Sequence, residues 1–135
     1  MALIAWNDTL LIGVETIDRQ HRQLVDILNR LHDALQHGVQ PRDITRALSD
    51  VKGYTQYHFS AEERLMQESA YPELEAHIQL HRAFQTKLAQ LEADATGGKV
   101  MVNIRLLLLL KDWLAHHILE PDKDFGVFYA RRTAA

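Results

Sequence analysis

Apolar residues recur at steps of three and four in four stretches of this chain, a spacing that keeps them on one face of an α-helix. The first stripe is Ile17, His21, Leu24, Leu28, Leu31 and Leu35, with Gly38 where a helix end favours glycine. It predicts an amphipathic helix of about five turns. The second begins at Pro41, a residue suited to a first helical turn, and runs Ile44, Leu48, Val51, Thr55, His58, Glu62 and Leu65, with Pro72 beyond its end. The third reads Leu74, His77, His81, Phe84, Leu88 and Leu91 and ends before Gly97 and Gly98. The fourth reads Leu106, Leu110, Trp113 and His117 and is expected to stop near Pro121.

Short links make sequential helices antiparallel neighbours, so the four stripes predict an all-α fold: an up-down-up-down antiparallel four-helix bundle over residues 17–122. Residues 1–16 read as an extended N-terminal arm. Residues 123–135 read as a C-terminal tail whose Phe125, Phe128 and Tyr129 pack on the bundle end. At 135 residues the whole chain is expected to form a single domain around one core. The leucine run 106–110 fits a buried helix and a subunit interface equally well.

Composition narrows the chemistry. A net charge of -3 with no basic stripe argues against a nucleic-acid partner. The chain has no cysteine, which removes disulfides, thiolate metal sites and cysteine nucleophiles, and leaves histidine and carboxylate as metal-capable groups. The leucine run is far too short to span a membrane, and the N-terminus lacks the positive start and cleavage site of a secretory signal. A cytoplasmic protein without membrane association is expected.

Eight histidines is many for this length, and five of them fall on the apolar stripes: His21, His58, His77, His81 and His117. Glu62 shares the stripe of the second helix. Residues four apart lie only about 40° apart around a helix and about 6 Å along it, so His58 with Glu62, and His77 with His81, each reach one small volume. A lone histidine on such a face is ordinarily a core residue with a nearby partner. Five histidines and a glutamate together would leave a half-satisfied polar cluster in the core unless a cation binds it.

Asp122 stands five residues after His117, about 140° away on a regular helix. Pro121 cannot continue that helix normally, because it lacks an N–H and its ring clashes with the carbonyl of His117. A distorted or ended helix would swing Asp122 inward; otherwise it is a solvated loop residue. Imidazoles with carboxylates suit iron, copper, zinc or manganese, and seven ligands are too many for one tetrahedral zinc. Two metals bridged by carboxylates match the count better. His32, His37 and His116 lie off the stripes and read as surface residues.

The segments "WNDTLLIGVETIDRQH", "HFSAEERLM", "YPELEAHIQLHRAF" and "WLAHHILEPDKDFGVFY", in this order and spacing, resemble the hemerythrin family, specifically its single-domain bacteriohemerythrins, over nearly the whole chain. The resemblance implies that His77, His81 and His117 hold one iron, His21 and His58 hold a second, and Glu62 and Asp122 bridge them, with Glu63 as an outward neighbour. It also implies two iron ions, cycling between Fe2+ and Fe3+ and joined by an oxo or hydroxo bridge. Dioxygen would bind reversibly at the iron with two histidines, in an apolar pocket at Leu24, Phe59, Trp113 and Leu114. Asp18 would either cap the first helix or steady a ligand, the cap being favoured.

The expected function is therefore oxygen binding for storage, delivery or sensing, not enzymatic turnover. The alternative is a di-iron oxidase or peroxidase. Ferritin-like sites of that kind use Glu-x-x-His pairs, and no such pair occurs in this chain.

Overall fold

A computed structural model of the chain describes residues 6–38, 41–97 and 102–134. The side chains of Leu35 and Ile44, two of the stripe positions, lie outside the described residues, as do residues 1–5 of the arm and Gly98. Helix α1 spans Glu15–Gln36, α2 Pro41–Glu68, α3 Leu74–Thr96 and α4 Val102–His117. Each packs on its neighbours in sequence and α1 closes the ring against α4, which is the antiparallel four-helix bundle. Gly38, just past α1, has φ +84°, the left-handed conformation in which glycine carries no steric penalty.

The stripes face inward. Leu24, Leu28, Val51, Phe84, Leu88, Leu106 and Leu110 are all buried, and Thr55 satisfies its hydroxyl by donating to the Val51 carbonyl one turn back. Antiparallel order then sorts the chain by polarity. The start of α1, the end of α2, the start of α3 and the end of α4 share one end of the bundle, and these are the portions that carry histidine. The opposite portions carry Leu28, Leu48, Val51, Leu88, Leu91, Val102 and Leu106, so one end of the core is filled with hydrocarbon. The leucine run straddles the boundary of its helix face: Leu106 and Leu110 are buried, while Leu108 is 52% exposed.

Two expectations need correction. The fourth helix does not stop at Pro121. It widens into a π-helical turn, Ile118–Asp122, and continues as α5, Lys123–Ala134. The Lys123 N–H reaches back five residues to the Ile118 carbonyl. The wider turn tolerates the missing N–H of Pro121 and gives its ring room beside the His117 carbonyl. The C-terminal tail is thus mostly helical, and Phe125, buried, packs with Tyr71 and Phe128 at the bundle end.

Asp18 does not cap α1, and it touches no histidine of the cluster. It lies inside the first turn, and its carboxylate accepts the Ile12 N–H at 2.8 Å and the Gly13 N–H at 3.2 Å. It thereby pins the arm, whose Leu10, Ile12 and Val14 are buried. The arm in turn meets α5 at Gly126, where an added Cβ would overlap the Ile12 carbonyl oxygen. Gly126→Ala is expected to cost about 1–3 kcal/mol in chemical denaturation by forcing arm and helix apart. An unchanged unfolding midpoint would contradict that contact.

Candidate metal centre

Seven side chains converge at the polar end of the bundle. Helix α1 supplies His21, α2 His58 and Glu62, α3 His77 and His81, and α4 His117, with Asp122 closing the π turn. None is more than 5% exposed. An i to i+5 hydrogen-bond pattern sets Asp122 roughly above His117 instead of about 140° away, so the irregular turn is what brings this carboxylate inward.

The ligand-capable atoms fall into two groups, each within 4.8 Å: Glu62, His77, His81 and His117, and His21, His58, Glu62 and Asp122. Glu62 belongs to both. Its Oε1 lies 2.5 Å from His77 Nε2 and 3.2 Å from His81 Nε2, while its Oε2 lies 3.4 Å from His58 Nε2 and 3.6 Å from His21 Nε2. Asp122 divides its oxygens in the same way. Oδ1 lies 3.0 Å from His77 Nε2 and 3.1 Å from His117 Nε2, and Oδ2 lies 2.9 Å from His21 Nε2.

Glu62 Oε1 is hydrogen-bonded to the Nε2 atoms of His77 and His81, but several of the other atoms are close without being properly hydrogen-bonded. His21 Nε2, His58 Nε2, Glu62 Oε2 and both Asp122 oxygens are buried with no hydrogen-bond partner, despite neighbours in reach. The Nε2 atoms of His77 and His117 face one another at 3.2 Å. Lone pairs aimed at a shared volume are costly in a dry core, and cations in that volume would satisfy them together. The donor set of imidazole nitrogens and carboxylate oxygens fits iron.

Two partners of the imidazoles escaped sequence reasoning. Gln20 Oε1 lies 2.7 Å from His58 Nδ1, and Glu63 Oε2 lies 2.6 Å from His81 Nδ1. Each oxygen accepts the ring N–H and leaves Nε2 free to ligate. Glu63 is therefore only partly the outward residue expected. The need of a ligating imidazole for an acceptor on its other nitrogen, set beside the adjacent pair Glu62 and Glu63, was the available signal. Gln20 left no such signal.

Aromatic rings pack on the cluster. Phe59 stacks on His81 at 4.0 Å and 5°, and Trp113 stacks on His117 at 4.4 Å and 16°. Phe59 only tilts towards His58, at 5.9 Å. Leu24 and Leu114 are buried. Among the remaining histidines, His37 and His116 are exposed with Nδ1 against the carbonyls of Asp33 and Asp112. His32 is half-buried, a correction to its expected surface position.

Electrostatics in the metal-free cluster is a contest between burial and charge. Burial works to lower the pKa of His21, but Asp122 and then Glu62 outweigh it and raise it to about 9. His77 is likewise opposed by burial and raised to about 9 by the same two carboxylates. Burial prevails at His58, whose pKa is lowered despite Glu62. Burial pushes Glu62 upward, but His117, His21, His58 and His77 hold it well below the usual carboxylate range.

In the unfolded chain these imidazoles titrate near 6.5. The stability contributed by His21 and His77 is therefore complete below pH 6.5 and is lost as pH rises through about 9. His58, its pKa lowered by burial, works in the opposite sense. Each shift corresponds to about 3 kcal/mol, and the two are less than additive because they share the same carboxylates. The urea midpoint of metal-free protein is expected to fall from pH 6.5 to about 9. Metal-loaded protein should not show that fall, since ligation requires neutral imidazoles. A flat metal-free profile would contradict the charge arrangement.

Residues 12–127 match the family model described as the Hemerythrin HHE cation binding domain. A bacteriohemerythrin from Stenotrophomonas maltophilia is 36% identical over 126 residues, covering 93% of this chain and 81% of that protein. One from Methylococcus capsulatus is 32% identical over 127 residues, covering 93% and 96%. A crystal structure of wild-type hemerythrin superposes with a TM-score of 0.84 at 30% identity, covering 93% of this chain and 96% of the other. With its buried histidine and carboxylate cluster at one end of a four-helix bundle, the chain belongs to the hemerythrin family.

Proposed function

We propose that the chain holds two irons and binds dioxygen reversibly, serving oxygen storage, delivery or sensing. The observation that carries this reading is the division of labour within each buried carboxylate. Glu62 and Asp122 both turn one oxygen towards the side of His77 and the other towards His21, the disposition of two bridges between two cations. One side then offers three imidazoles and two carboxylate oxygens, and the other two imidazoles and two oxygens. The side of His21 and His58 is one ligand short, which leaves room for an exogenous ligand there.

When bound, the irons would supply the electrons that dioxygen needs to be held and would recover them on its release. The chain's own part is to hold Nε2 of each imidazole in place and to keep the surroundings dry. His58 is oriented by Gln20 and His81 by Glu63. Phe59, Phe84 and Trp113 form a connected aromatic wall against His81 and His117. They bring no general acid or base, which suits retention of a ligand better than its protonation. Leu24, Phe59, Trp113 and Leu114 are assigned to the wall of the oxygen pocket on the basis of the family resemblance and their burial or half-burial.

Iron-loaded protein, reduced without oxygen and then exposed to it, is expected to contain about two irons per chain and to show a visible band that appears with oxygen and disappears on its removal. Irreversible oxidation at the first exposure, with oxygen consumed, would favour the oxidase or peroxidase reading. Glu62→Gln removes a charge shared by both groups, and it is expected to abolish the second iron in metal analysis. Full two-iron loading of that variant would contradict the bridging role.

A further inference from the structure

The two sides of the cluster differ in more than their histidine count. Only one of them receives a charge through an imidazole: His81, in the three-histidine group, passes its Nδ1–H to the Glu63 carboxylate at 2.6 Å. On the other side His58 passes its Nδ1–H to the neutral Gln20 amide oxygen at 2.7 Å, and His21 Nδ1 is buried with no partner at all. Glu63 is one residue from the shared Glu62, yet its side chain remains 28% exposed and reaches round the helix to α3. Gln20 is 6% exposed, and its backbone carbonyl accepts from the Tyr54 hydroxyl at 3.2 Å, which fixes it from the side of α2.

We propose that Glu63, acting through His81, makes the three-histidine position the tighter and more easily oxidised of the two metal positions, with Gln20 keeping the other electron-poorer. This inference rests on the two-iron reading. A carboxylate acceptor increases the basicity of the imidazole it holds, and a more basic imidazole donates more strongly to its metal and favours the higher charge. A neutral amide orients the ring equally well but adds no charge. Glu63 and Gln20 are thus positioning residues with unequal electronic effect, and they impose an order on the site: the three-histidine iron gives up its electron first, and the two-histidine iron, with the open position, second. Each step is a one-electron oxidation of ferrous to ferric iron, the electron passing to the electrode in the measurement below.

The test compares wild type, Glu63→Gln and Gln20→Glu. Anaerobic ferrous titration against a competing chelator gives the two affinities, and mediated spectroelectrochemistry gives the two potentials. Both substitutions preserve shape and an acceptor oxygen, so the imidazoles remain oriented and only the charge moves. In Glu63→Gln the tighter site should bind ferrous iron about tenfold more weakly and ferric iron more weakly still, its potential rising by about 59 mV for each tenfold by which the ferric loss exceeds the ferrous one, while the weaker site stays as it was. Gln20→Glu should act in mirror image, tightening the weaker site and lowering its potential. A Glu63→Gln protein that takes up two irons with affinities and potentials like those of the wild type would overturn the inference while leaving the two-iron reading intact, as would equal shifts at both positions. Failure of the wild type itself to bind two irons would remove the underlying reading, and this inference with it.

Discussion

The constraint on which this structure depends is the burial of two carboxylates, Glu62 and Asp122, among five imidazoles at the end of a hydrocarbon core. Removing a carboxylate from water is expensive unless charge of the opposite sign compensates it in place. In the metal-free state protonated imidazoles compensate in part, which is why His21, His77 and His117 are all driven towards the charged form. That compensation is incomplete, because several of the buried donor and acceptor atoms find no directed partner. Cations shared by the seven side chains, as proposed, would resolve both problems, the charge and the unmet lone pairs. The fold and the chemistry are therefore the same problem solved once.

Much of the scaffold can be understood as what it takes to hold these groups. Four helices are needed because no single helix could present five imidazoles to one point. Antiparallel order places the histidine-bearing portions at a common end and leaves the other end for leucine and valine, which provide apolar burial there. The π turn at Ile118–Asp122 interrupts the regular helix after α4, and it is the feature that puts Asp122 on the same side as His117. Such turns occur where function requires a residue out of helical register. The arm, pinned by Asp18, and α5, in contact with it at Gly126, cover that end of the bundle.

The bundle and five of its ligand-type side chains were legible because helical periodicity is a strong signal and because ionisable residues on an apolar stripe contradict it visibly. Glu62 could be read from its place four residues after His58. Asp122 was legible only as a conditional: Pro121 signalled an irregular helix, but periodicity does not distinguish a helix that ends from one that widens and continues. For the same reason α5 was read as tail. Asp18, three residues before His21, gave no hint that it would reach back to the arm, because that contact depends on where the preceding loop runs. Gln20 and Glu63 stayed hidden for another reason. They are neighbours in sequence of the clustered residues His21 and Glu62, and their contacts with His58 and His81 emerge only when helices are laid side by side.

The central claim, that Glu62 and Asp122 each serve two cations, is tested most directly by crystals of the iron-loaded protein measured at the iron absorption edge. Two anomalous peaks are predicted, one among His77, His81 and His117 and one between His21 and His58, with each carboxylate giving one oxygen to each peak. A single peak, or two peaks that leave His21 and His58 without a metal, would contradict the account.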